Sequence, residues 1–228
     1  MVNDKQKPKI KVLKDGPYRV TGSVPLYEKI IVKKGKCNEF EDGRELPQAE
    51  EYLLCRCGKS KNKPFCDSSH VKEGFDGTET ASNDKYADRA EYLEGPGVNL
   101  MDDNRCALSR FCHREDGYAW GLLKKTGEER YREQVIEAGM QCPSGRLTAV
   151  NKDGDVMEPE HEPSISIIQD PDMKVSAGIY VRGYIPLESA DGQLYELRNR
   201  YALCRCGKSQ NKPFCDTSHV DTKFSDKE

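Results

Sequence analysis

The sequence predicts an α+β protein in which two small β-rich, metal-binding units enclose a third segment of different character. Three observations predict this. The block CRCGKSKNKPFCDSSH at 55–70 returns almost unchanged, 149 residues later, as CRCGKSQNKPFCDTSH at 204–219, and self-similarity at domain-sized spacing marks a duplicated unit. Short stretches of alternating apolar and polar residues precede both blocks, as half-buried strands require. The composition, 36% hydrophobic and 33% charged with a mean hydropathy of -0.83, suits small cores held by a metal better than one large core in 228 residues.

Strand patterns fall at 10–13, 18–24 and 28–33, and again at 165–169 and 178–185, with turn signals at Asp15-Gly16, Asp42-Gly43 and Asp191-Gly192. The likeness between the repeats extends upstream. DGPYRVTGSVPL from Asp15 matches AGIYVRGYIPLE from Ala177, pairing Tyr18, Gly22, Pro25 and Leu26 with Tyr180, Gly183, Pro186 and Leu187 after one residue of slippage. Downstream, Phe75 and Phe224 each follow the motif histidine by five positions, so each is expected to pack back on its own metal centre. Asp67 and Asp216 are expected to cap a helical turn that carries the histidine.

Between the repeats lie a polar linker at 78–94, the turn Gly95-Pro96-Gly97, and an amphipathic helix at 126–138 with Tyr131, Val135, Ile136 and Ala138 among charges. Gly127 and Gly139 bracket that helix, which ends just before Cys142-Pro143, and a polar stretch at 151–163 leads into the second repeat. The expected domains are 1–90, 91–160 and 161–228.

Each repeated block offers three thiolates and one imidazole, the soft donor set that iron-sulfur clusters take. Cys55 and Cys57, one residue apart, converge on one iron and leave Cys66 and His70 for the other; Cys204, Cys206, Cys215 and His219 repeat the set. Gly58 and Gly207 permit a tight turn after each pair, while Pro64 and Pro213 restrict the chain before the third cysteine. Cys3His is also an acceptable zinc set. Ten cysteines allow a disulfide framework too, although C-x-C followed by cysteine and histidine is a ligand pattern.

These residues resemble the CDGSH iron-sulfur family, whose pattern is C-x-C-x2-[ST]-x3-P-x-C-D-G-[STA]-H. Ser60 and Ser209 fill the hydroxyl position and Asp67 and Asp216 follow the third cysteine, but Ser68 and Thr217 stand where the family has glycine. The resemblance implies one [2Fe-2S] cluster per motif, and a β-rich internal pseudo-dimer in which strands of the two repeats are shared. A neutral imidazole in place of a thiolate raises the reduction potential, and its protonation would release the iron in acid.

The middle segment contains NRCALSRFCHRE and then MQCPSGRL, so Cys106, Cys112 and Cys142 remain. Cys106 and Cys112 keep the register of a C-x2-C-x2-C ferredoxin run with Ser109 at its centre, and Cys142-Pro143 is the remote partner. The segment resembles the divergent mono-cluster ferredoxins, which implies a third cluster. Three cysteines hold a [3Fe-4S] cluster, whereas a [4Fe-4S] cluster also needs Ser109, His113, water or another ligand. The competing reading is three buried thiols that act as small hydrophobes. Cys37 is expected to be a structural or exposed thiol, His161 a solvated linker residue and Trp120 part of a core. Lys59, Lys63, Lys208 and Lys212 flank the cluster loops and can tune potential or meet an acidic partner.

The 36 Lys and Arg against 39 Asp and Glu give a net charge of -3, which disfavours nucleic acid as a partner. The amino terminus lacks a signal-peptide core and no apolar run reaches bilayer length, so a cytoplasmic, non-membrane monomer with internal pseudo-two-fold symmetry is expected. Electron transfer to a redox protein is the leading function. A cluster carrier, serving an apo iron-sulfur acceptor, or a redox sensor is the alternative. An oxidoreductase with its own substrate is a third reading, for which no acid-base constellation stands out, and no catalytic residue is assigned.

Overall fold

The computed structural model describes residues 7–226. The first repeat supplies β1 (Lys9–Val12), β2 (Tyr18–Thr21), β3 (Leu26–Lys34), β4 (Cys37–Asp42), β5 (Glu51–Leu54) and α1 (Ser69–Lys72). The central segment supplies α2 (Tyr86–Arg89), β6 (Glu91–Leu93), β7 (Asn99–Asp102), β8 (His113–Arg114), β9 (Gly117–Tyr118), α3 (Ala119–Leu123), α4 (Glu129–Gln141), β10 (Leu147–Val150) and β11 (Val156–Met157). The second repeat adds β12 (Ser164–Asp170), β13 (Val175–Arg182), β14 (Leu187–Glu188), β15 (Arg200–Leu203) and α5 (Ser218–Asp221).

The repeats exchange strands. One sheet runs β14-β1-β2-β5 and the other β15-β13-β12-β3-β4, so each repeat lends its third strand to the other's sheet. The registers agree about a pseudo-two-fold axis. Ile10 faces Val20 on one side and, in parallel, Leu187 on the other; Ile165 correspondingly faces Val181 and Leu26. Alternation explains which residues turn inward, since Ile10 and Val12 are fully buried while Lys9 and Lys11 are not. One apolar core therefore joins Ile10, Val12, Leu26, Leu54, Ile165, Ile167, Leu187 and Leu203, which makes the two halves a single pseudo-dimeric body.

The ladder corrects the residue matching between repeats. Tyr18 pairs with Leu54, and the residue that pairs with Leu203 is Ile179; Tyr180 therefore occupies the place of Arg19, not of Tyr18. No slippage is needed, because Gly22 and Gly183 then correspond directly. The identity of the two tyrosines was misleading, as strand register is fixed by which face each residue presents.

The central segment packs a sheet of order β11-β10-β7-β6 against α3 and α4, around Leu100, Leu122, Val135, Ala138 and Leu147. Helix α4 continues past Gly139 to Gln141. Gly139 is thus no terminator: a Cβ there would lie 2.8 Å from the amide nitrogen of Ala149, so the glycine allows the helix to press on β10. The polar linker is strapped over the second motif, with the Thr80 and Ala81 amides donating to the Lys212 carbonyl at 2.9 Å and Tyr195 Oη donating to Glu79 at 2.8 Å. Among the described residues no helix is long and apolar enough to cross a membrane.

Candidate iron-sulfur centres

Strands β5 and β15 each end directly before a motif, so their ladders fix where the first cysteine emerges. Cys55 Sγ and Cys57 Sγ lie 3.7 Å apart, and Cys204 Sγ and Cys206 Sγ 3.6 Å. Cys66 Sγ and His70 Nδ1 are 3.5 Å apart, as are Cys215 Sγ and His219 Nδ1. Two thiolates about 2.3 Å from one tetrahedral ion sit roughly 3.8 Å apart, and a thiolate with an imidazole nitrogen roughly 3.6 Å. Each pair is therefore already at the spacing of two ligands on one metal. Among the described residues no three His, Cys, Asp or Glu side chains form a single-ion site, so the donors are grouped two and two. Without metal, a hydrogen bond from the partner thiol brings Cys55 down to about 6 and Cys204 down to about 7, which readies one sulfur of each pair as thiolate.

The rest of each block holds these pairs in place. Ser60 Oγ donates to the Phe65 carbonyl at 2.6 Å and accepts from the Asn62 amide at 3.0 Å; Ser209 does the same with Phe214 and Asn211. Asp67 accepts from the Lys61 and Ser69 amides, and Asp216 from those of Gln210 and Ser218. The aspartates thus tie the loop to the turn, while the N-cap positions themselves are Ser68 and Thr217, which make no side-chain cap bond. Between the first two cysteines, buried Arg56 donates to the carbonyls of Gly16, Gly77 and Leu13. Arg205 likewise reaches Ala177 and Ile168 and adds an ion pair with Asp226. Phe75 and Phe224 stack on these guanidinium groups, 5.3 and 5.2 Å from their ring centres, and so support the cysteine pair through the arginine.

Ser68 and Thr217 adopt φ of 68° and 77°, the left-handed region that explains why the family motif favours glycine here. Ser68→Gly and Thr217→Gly are each expected to raise unfolding free energy by about 0.5–1 kcal/mol, the left-handed cost less glycine's entropy loss. The larger gain is expected at the β-branched threonine. Urea unfolding of the iron-loaded chain measures it.

In the central segment, Cys106, Cys112 and Cys142 line one cavity together with Trp120 and Arg146. The loop between the first two cysteines places Leu108 and Arg110 at φ of 54° and 62°. The Leu108 amide donates to Cys106 Sγ, 3.3 Å away. Burial, reinforced by Cys142 and Cys106, pushes the Cys112 thiol up to about 11, so the three sulfurs share one enclosure. Of the protein candidates for a fourth ligand, Ser109 Oγ is hydrogen-bonded to Tyr180 Oη, and His113 stacks edge-on against Tyr118. Trp120 joins the central core and donates to Asp102; Cys37 lies half-buried on β4.

The two CDGSH-type blocks and the three-cysteine cavity are contiguous. A Cβ on Gly58 would lie 2.5 Å from the Cys206 carbonyl, and one on Gly207 equally close to that of Cys57, so the two motifs meet backbone to backbone. Ala107 and Phe111 of the central loop share a buried cluster with Tyr180 and Cys215. Tyr18 crosses between repeats to donate to the carbonyls of Cys204 and Pro213. The cover is unequal: Cys215 and His219 are 4% and 3% exposed, whereas Cys66 and His70 are half-buried. Lys59, Lys208 and Lys212 line an open cleft with Cys57 and Gly207, which Glu73 and Asp76 also border; Lys63 stands outside it.

His161 departs from expectation. It is half-buried against the arginines of the second repeat, and burial, followed by Arg182 and Arg200, lowers its pKa. A polar linker sequence carried no sign of this, because the contact is made by residues far along the chain.

A family model described as the iron-binding zinc finger of CDGSH type matches residues 15–71 and 177–220, and one described as a divergent 4Fe-4S mono-cluster matches residues 93–152. No curated protein and no solved structure matches the chain. Paired donors at metal-ligand spacing in both regions matched by the CDGSH-type model, with three cysteines gathered in the region matched by the divergent mono-cluster model between them, support iron-sulfur cluster binding by this chain.

Proposed function

We propose that this chain is an electron-transfer protein with three centres. Cys55, Cys57, Cys66 and His70 hold one [2Fe-2S] cluster, Cys204, Cys206, Cys215 and His219 a second, and Cys106, Cys112 and Cys142 a [3Fe-4S] or [4Fe-4S] cluster. Bound clusters of these kinds supply one-electron exchange. The observation that carries the reading is contiguity: the central loop packs in the same buried cluster as Cys215, and the two CDGSH loops touch through Gly58 and Gly207. Such packing suits passage of an electron between neighbouring centres. The grouping of donors two and two favours binuclear iron over one tetrahedral zinc. The lysine-lined cleft beside Cys57 is where a redox protein with an acidic face would dock.

Iron and acid-labile sulfide analysis, with paramagnetic resonance of the reduced protein, tests this. About seven or eight irons per chain are expected, falling to about four in Cys142→Ala, since two [2Fe-2S] sites hold two irons each. A wild-type value of four would reject the central centre, and a colourless, fully metallated protein would reject the whole reading. Reversible reduction without iron loss is the expected behaviour of a carrier of electrons. One observation favours a second reading, cluster donation to an apo acceptor: the half-exposed Cys66 and His70 leave the first site open on one side. Transfer of labelled cluster to an acceptor, faster than reduction and reoxidation cycles, would select it.

A further inference from the structure

A cavity of about 320 Å³ lies between the central segment and the second repeat, separate from the cavity that holds the three cysteines. Phe40, Phe111, Met140, Pro143 and Tyr180 wall it with apolar surface. Its basic side chains gather on the other side, where His161, Arg182 and Arg200 meet.

Two of the charges at this wall are already matched. Arg200 Nη1 donates to the carbonyls of Gly139, Met140 and Cys142, and the guanidinium is paired with Glu158 at 2.8 Å. Glu137, which also borders the cavity, is paired with Arg114. Arg182 is different. Its side chain donates to the Ser166 hydroxyl at 3.3 Å, and among the described residues no carboxylate pairs with it. A half-buried guanidinium facing an apolar cavity without a counter-ion is costly unless an anion comes to it.

We propose that this cavity binds a small, flat apolar carboxylate, with its acid group on Arg182 and its body among Phe40, Phe111, Met140 and Tyr180. The volume sits at the lower end of small-molecule sites, roughly 300–1,000 Å³, which suits a single ring or a short chain. Cationic ligands are repelled by Arg182. The position gives the site a use, because Phe111 and Pro143 adjoin Cys112 and Cys142 while Tyr180 shares a buried cluster with Cys215. A bound carboxylate would therefore press on residues that hold the central and the second centres. The binding itself does not depend on the number of clusters.

Titration calorimetry of the full, iron-containing chain with benzoate, benzamide and benzylamine tests the proposal. Benzoate is expected to saturate one site per chain, benzamide to bind at least about tenfold more weakly, as loss of a charge-assisted pair implies, and benzylamine not at all. Arg182→Gln should bring benzoate down to the benzamide level with the visible spectrum unchanged, Arg182→Lys should keep the preference for benzoate, and Met140→Trp should fill the cavity and abolish binding. Equal affinity for benzoate and benzamide, no saturable benzoate binding by the wild-type chain, or undiminished benzoate binding by Arg182→Gln or Met140→Trp would each overturn it.

Discussion

Arg205→Met is expected to destabilise the chain by about 3–5 kcal/mol, the cost of breaking a buried ion pair from one side, and to empty the second CDGSH site of iron. Arg205 is 2% exposed and sits between Cys204 and Cys206. Its guanidinium joins the carbonyl of Ala177 on β13 to that of Ile168 on β12, and reaches both oxygens of Asp226 at 2.5 and 2.6 Å. Methionine keeps much of the volume but takes the guanidinium from those carbonyls and from the Asp226 carboxylate, which keeps its bond from the Gln169 side-chain amide. Burial alone would push the Asp226 carboxyl up; Arg205 overcomes that and holds it below its ordinary value. The pair therefore contributes stability above the ordinary carboxylate range that is lost as pH falls through the lowered value.

Two controls separate charge from packing. Asp226→Asn added to Arg205→Met removes the stranded charge and should recover part of the loss, whereas Asp226→Asn alone should cost less than Arg205→Met. At the first site, Arg56 makes three bonds to carbonyls and, among the described residues, no ion pair with a carboxylate, so Arg56→Met strands no paired charge and is expected to cost about 2–3 kcal/mol. Chemical unfolding with iron analysis of each variant measures the order. Equal losses in Arg56→Met and Arg205→Met would show that Asp226 contributes nothing.

The paired donors were legible in the sequence because their spacing is local: a C-x-C pair and a cysteine four residues before a histidine place their side chains at metal-ligand spacing whatever surrounds them. Ser60, Asp67 and their second copies were legible as motif positions, but not their bonds. The role of Ser68 and Thr217 was visible only as a departure from glycine until the backbone angles gave its reason. Strand exchange followed from the resemblance, and the ladder then revealed that Tyr180 corresponds to Arg19. That shift matters, since it frees Tyr180 to face the central segment and meet Ser109. What two nearly identical blocks could not disclose is their inequality. It arises from Ala107, Phe111, Arg105 and Arg110, which come from elsewhere in the chain and cover the second site alone.

That inequality should govern loss of iron in acid. At both sites Nδ1 faces the cysteine, and the His70 ring turns its Nε2 toward Gly16. Protonation of the ring nitrogen competes with metal binding. At the second site, burial and then Arg205 bring the His219 imidazole from an ordinary 6.5 down to about 4, so the neutral ring is favoured by the fold. The stability this neutral ring contributes is present above about 6.5 and lost as pH falls toward 4. His70, half-buried and open to water, lacks that enclosure. Near pH 5 the visible absorbance is therefore expected to decay in two phases, the half-buried first site losing iron before the enclosed second site. His70→Cys, which replaces the protonatable ring with a thiolate, should remove the fast phase and lower the potential of that site, while His219→Cys should leave the fast phase intact. A single phase in the wild type, or a fast phase abolished by His219→Cys, would place the acid-sensitive step elsewhere. On the proposed electron-transfer reading the consequence is directional: the open first site is the one suited to exchange with a partner, and the covered second site the one suited to hold its centre against the central segment.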